Sequence, residues 1–155
     1  MLPKAVLDPG IFNRWGPDFA VEHGLVLACN DGAVMTVGFG HRYPSVEVWS
    51  TSRVDQPWRV DDEGIDAVSD LLHAAHVAVS DDVPANEEWH YRPMGTGVPV
   101  PWRIILKLRT STLAGFEGGT KIYVNTISPT TLAAMLLPKL FEARAAGRIA
   151  AMNLG

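Results

Sequence analysis

The chain has 155 residues, 47% of them apolar and 19% charged, which describes one globular domain with its own core and excludes a disordered segment. Its net charge of −4 supplies no basic field to draw in phosphates, so a general nucleic-acid binder is not expected. With one cysteine, Cys29, no disulfide can form within the chain. There is no window of the roughly 18 apolar residues a membrane span needs, and MLPKAVLDPG has no signal-peptide run. The expectation is a cytoplasmic protein with no membrane contact.

Residues 1–22 form an arm broken by Pro3, Pro9, Gly10, Gly16 and Pro17. It is expected to be irregular and to dock through Phe12, Trp15 and Phe19, on its own domain or on a partner. Residues 23–155 read as a single domain. Apolar runs at 25–29 and 33–39 flank Asn30-Asp31-Gly32, a hairpin signal in which Gly32 would supply a positive φ. Cys29 sits in the first run and reads as buried and inert. Residues 45–51 are a third strand, with Val46 and Val48 on one face and Glu47 and Trp49 on the other.

A helix follows from about residue 62 to 79, capped by Asp61 or Asp62, with Ile65, Val68, Leu72, Ala75 and Val79 as its apolar stripe. His73 and His76 lack the spacing of a helical metal pair and read as surface residues. Residues 86–92 and 102–109 are strands; in the latter, Arg103, Ile105, Lys107 and Arg109 share one face. Residues 121–127 read as another strand. Ser128-Pro129 opens the last helix, Pro138 should kink or break it, and Gly147 should end it. The fold class is α+β, a mostly antiparallel sheet with one long helix across a face and a second at the C-terminus.

Three groups of residues carry candidate chemistry. Arg103, Lys107 and Arg109 could grip a di- or triphosphate, or could simply be the charged outer face of a sheet. In 111–119, Gly115, Gly118 and Gly119 surround Phe116-Glu117. They could let backbone amides approach a ligand while Glu117 accepts from sugar hydroxyls, or they could relieve a strained turn. His41 and His90 could each act as acid or base. No His-x-His and no second cysteine occur, so neither a metal site nor a cofactor is expected.

The segments GFGHRYPSVEVWSTSRV, EWHYRP and PWRIILKLRTSTLAGFEGGTKIYVNTISP occur in this order around the long helix. Together they resemble the C-terminal half of the galactose-1-phosphate uridylyltransferase family, of the histidine-triad-like superfamily, over about residues 25–140. The resemblance implies a histidine-triad-like fold and hexose contacts at Phe116 and Glu117, with Ser111 and Asn125 in the same substrate-binding region. It also implies that a His-Pro-His nucleophile belongs to the other half, since this chain has none. Trp89-His90 is kept from the family's metal region, but Pro101-Trp102-Arg103 stands where further ligands would be, so that metal site looks lost.

Three functions remain open at this point. The chain could be a stand-alone half-transferase that binds a nucleotide sugar or sugar phosphate through Arg103, Lys107, Arg109, Ser111, Phe116, Glu117 and Asn125. It would then pair with a His-Pro-His-bearing half or with a second copy of itself. It could be a repurposed enzyme using Glu117, His90 or His41 as acid–base. Or it could be a non-catalytic assembly module. Whether it is an enzyme at all is left undecided by the residues.

Overall fold

The computed structural model describes Lys4, Asp8, residues 10–110 and residues 115–155. In chain order the elements are α1 (Ile11–Arg14), α2 (Pro17–Glu22), β1 (Val26–Cys29), β2 (Ala33–Val37), β3 (Ser45–Ser50) and α3 (Asp62–Val79). There follow β4 (Ala85–His90), β5 (Arg103–Leu108), α4 (Gly115–Thr120), α5 (Pro129–Ala145) and β6 (Asn153–Leu154). The strands form one sheet in the order β4-β5-β3-β2-β1-β6, and each neighbouring pair is antiparallel. The α+β expectation holds.

Both long helices lie on one face. Val68, Leu71 and Ala75 of α3 and Leu132, Leu136 and Leu140 of α5 are buried in one cluster with Val46, Val48, Ile104 and Leu106 of the sheet. Asp61 caps α3 by accepting from the Gly64 amide at 2.9 Å, and Ser128 caps α5 by accepting from Thr131 at 3.1 Å. Pro138 does not break α5, which continues to Ala145. His73 and His76 are exposed, as expected, while Cys29 is only half-buried.

The hairpin at Asn30-Asp31-Gly32 forms, but not for the expected reason. Asn30 Oδ1 accepts from the Gly32 and Ala33 amides, and its Nδ2 donates to the Ala67 carbonyl of α3 at 2.8 Å. Gly32 has no positive φ. A Cβ there would lie 2.6 Å from the Ala67 Cβ, so glycine is required by the close approach of the turn to α3.

The arm is helical rather than irregular, and it packs on its own chain. Ile11 and Phe12 are buried against Val100, and Phe19 stacks on Phe39 with ring centroids 4.0 Å apart. Trp15 stays about half exposed. Between α1 and α2, Gly16 presses on the β3 indole, where a Cβ would meet Trp49 Cη2 at 2.5 Å. At Gly16 the arm thus meets the face of the sheet opposite the long helices, while Ala20 of α2 joins the core cluster those helices form. The strand expected at 121–127 does not form. Lys121 takes a left-handed backbone at the end of α4, with φ 62, and Ile122 and Val124 run exposed and outside the sheet. Alternation alone makes no strand without a ladder partner.

Gly32→Ala is expected to destabilise the fold by about 1–3 kcal/mol in urea unfolding, because the new methyl must push α3 off the hairpin. Unchanged stability would show that the turn is not clamped against the helix.

Candidate functional site

The side chains on the open face follow from the strand register. Val34, Trp49, Arg103 and His90 form one row across β2, β3, β5 and β4. Thr36, Glu47, Ile105 and Glu88 form the next, and Ser45, Lys107 and Asn86 continue the pattern. This face is polar because no long helix covers it.

Glu47 is the central group. It is only 5% exposed, yet it is a carboxylate. Its Oε1 is hydrogen-bonded to His41 Nε2, and its Oε2 lies 3.7 Å from Arg103 Nη1. Burial pushes its pKa up, but the His41 hydrogen bond and the charge of Arg103 outweigh burial and leave it below the ordinary 4.5. Arg103 lies over the Trp49 ring at 4.4 Å. Burial lowers its pKa, against the opposing pull of Glu47. Gly38 makes room for the imidazole: a Cβ there would lie 2.7 Å from His41 Cδ2.

The expected trio of cations is not a free phosphate grip. Arg103 is engaged by Glu47, and Lys107 Nζ donates to both oxygens of Glu88 at 2.7 Å. The Lys107 hydrogen bonds hold the Glu88 carboxyl below its ordinary pKa. Arg109 lies one residue beyond β5 and is exposed. Opposite charges across neighbouring strands neutralise the face from within.

His90 lies 3.4 Å from Glu88 and lines a cleft of about 190 Å³ with Phe12, Trp49 and Arg103. His41 and His90 are not brought together: Glu47, the partner of His41, is two strands from β4, about 10 Å at ordinary strand spacing. Ser111 lies outside the described residues. Phe116 is exposed on α4, so the expected glycine loop is partly helical. Glu117 Oε1 accepts from the Val124 amide at 3.1 Å, and Asn125 Oδ1 accepts from Ile127.

Arg42 was not singled out from the sequence. Its guanidinium lies 4.3 Å from the Tyr123 ring centroid, and its Nε is buried without a hydrogen-bond partner among the described residues. Through Tyr123 it adjoins the segment that starts with Phe116-Glu117, and it is the neighbour of His41 in sequence. Glu47 was also passed over. The available signals were a lone acid within the apolar run VEVW and an arginine beside a candidate histidine. Among the described residues, no group of three or more His, Cys, Asp or Glu is placed to hold a metal ion, and no helix is long and apolar enough to cross a membrane.

The depressed pKa of Glu47 fixes a pH dependence. Its contribution to stability is complete above pH 4.5 and is lost as the pH falls through its lower folded value. Glu47→Gln, which leaves Arg103 buried without its counter-charge, should cost on the order of 3 kcal/mol at pH 7. In denaturant titrations the deficit should shrink below pH 4.5. A deficit independent of pH would mean that Glu47 is not charged in the folded protein.

Comparisons place this fold among known ones. No curated protein matches the sequence. The fold is similar to an ADP-glucose phosphorylase from Arabidopsis thaliana solved with bound ADP-glucose, at 21% identity and a TM-score of 0.67, over 78% of this chain and 46% of that one. It is also similar to a uridylyltransferase, at 15% identity and a TM-score of 0.68, over 82% of this chain and 49% of that one. A galactose-1-phosphate uridylyltransferase-like protein from Arabidopsis thaliana aligns at 20% identity and a TM-score of 0.64, over 78% and 47% of the two chains. The chain thus spans about half the length of these structures, and its fold is the histidine-triad-like one expected. A family model described as a domain of unknown function, DUF4921, matches residues 3–155, and the chain belongs to that family.

Proposed function

We propose that the chain is the substrate-binding half of a nucleotidyl-transfer system. It holds a nucleotide sugar or sugar phosphate at one end of the open face, and a histidine nucleophile comes from outside these residues. In this reading it works paired, with a nucleophile-bearing half or with a second copy. The observation that carries the reading is Arg42. Arg103 and Lys107 are already engaged by carboxylates, whereas the Arg42 Nε–H is buried with no acceptor among the described residues, an arrangement a phosphate oxygen would complete. Beside it lies the Phe116-Glu117 segment, where the family resemblance puts hexose contacts. The fold similarity to half of a phosphorylase crystallised with ADP-glucose supports the same class of ligand.

A second reading is favoured by the His41–Glu47 pair. An imidazole held by a buried carboxylate has a fixed orientation, which suits acid–base work on another small substrate. Gly38, whose Cα faces that ring, is then part of the positioning. His90 has a weaker claim, since its partner Glu88 is itself well exposed.

Calorimetry with ADP-glucose, UDP-glucose and glucose 1-phosphate tests the first reading. Saturable binding is expected for at least one, weakened about tenfold or more by Arg42→Ala, with no turnover by the chain alone. Absence of binding heat with all three would overturn it in favour of an assembly module. Turnover by the pure chain, abolished in His41→Asn with ligand binding retained, would establish the second reading instead.

A further inference from the structure

A second cleft of about 540 Å³, adjoining the one lined by His90 through Val100 and Pro101, opens at the far end of β3, within the range of small-molecule sites. Val34 of β2 and the buried Val100 give it an apolar floor. Asn13 of α1 and Asp18 of α2 contribute one wall, and Arg53 and Asp55, from the chain after β3, contribute the other. Asp55 is already neutralised by Arg92 at 2.8 Å. Among the described residues, Asp18 and Arg53 enter no ion pair.

The charges of this lining cancel, so neither a phosphate nor a cation is favoured there. Beside the hydroxyls of Ser50, Thr51 and Ser52, the lining presents a carboxylate, an amide and a guanidinium. Each is planar and can engage two adjacent hydroxyls at once. A ring with hydroxyls at its rim and C–H bonds on its face matches this mixture of polar walls and valine floor. We propose that this cleft binds a neutral polyhydroxylated small molecule, a monosaccharide or cyclitol in free form.

This is not the sugar pocket of the nucleotide-sugar reading, and it does not rest on that reading. Arg42 precedes the start of β3 and the cleft lies past its end, about 17 Å away at ordinary strand rise. One hexose cannot span both. The arm makes the cleft, since α1 and α2 supply a wall that the sheet lacks.

The test is a series of amide NMR titrations of the full chain with D-glucose, D-galactose and myo-inositol, alongside inorganic phosphate and L-serine. A saturable, millimolar response to at least one polyol is expected, confined to residues 13–18, Val34 and 50–55. Asp18→Asn or Arg53→Ala should weaken it about tenfold while leaving the Tm unchanged, since both side chains are exposed. The proposal is overturned if no polyol gives a saturable response at tens of millimolar, if phosphate or L-serine binds there more tightly, or if neither variant changes the affinity. Calorimetry on Arg42 variants decides the nucleotide-sugar reading separately, so either can fail while the other stands.

Discussion

A carboxylate withdrawn from water is costly unless opposite charge and hydrogen bonds replace its hydration. Glu47 is nearly inaccessible, and much of the open face is arranged to meet that demand. His41 and Arg103 reach the carboxylate from two sides, and Trp49 lies under the guanidinium. Gly38 is small enough to admit the imidazole. Because both long helices are committed to the other face, this polar layer is partly closed by the arm, whose turn at Gly16 rests on Trp49.

This arrangement also explains why cations in a sequence are a poor guide to an anion site. Arg103 and Lys107 alternate as expected, but β3 and β4 set carboxylates against them across the ladder. Those pairings are long-range and leave no mark in the local sequence. Arg42, in a connection ahead of β3, has a buried Nε with no hydrogen-bond partner among the described residues.

The strand alternation of 45–51 and 102–109, the caps Asp61 and Ser128, and the stripe of α3 were legible because each is a local, periodic signal. The helical turns of the arm were hidden by Pro17 and the glycines, although proline is acceptable in a first helical turn. Residues 121–127 misled in the opposite sense. They have strand-like residues, but the backbone turns at Lys121 and the sheet offers them no partner. Gly32 was recognised as a turn residue, while its actual constraint, the methyl of Ala67, lies 35 positions away in the sequence. Glu47 and Arg42 were not legible as parts of a site, because their surroundings depend on what folds against them.

β4 has a further consequence. It ends the sheet, and among the described residues no strand lies beside its outer side. Such a border invites a second chain to add itself. Asn86, Glu87 and Glu88 lie along this one, and Glu87 accepts hydrogen bonds from both His76 and Trp89. Two copies laid antiparallel along β4 would bring carboxylates close together, so self-association at that border is opposed at neutral pH. A cationic strand from a different chain would meet no such repulsion. The same short stretch of acids that neutralises Lys107 thus also sets which chains the sheet can accept at its border.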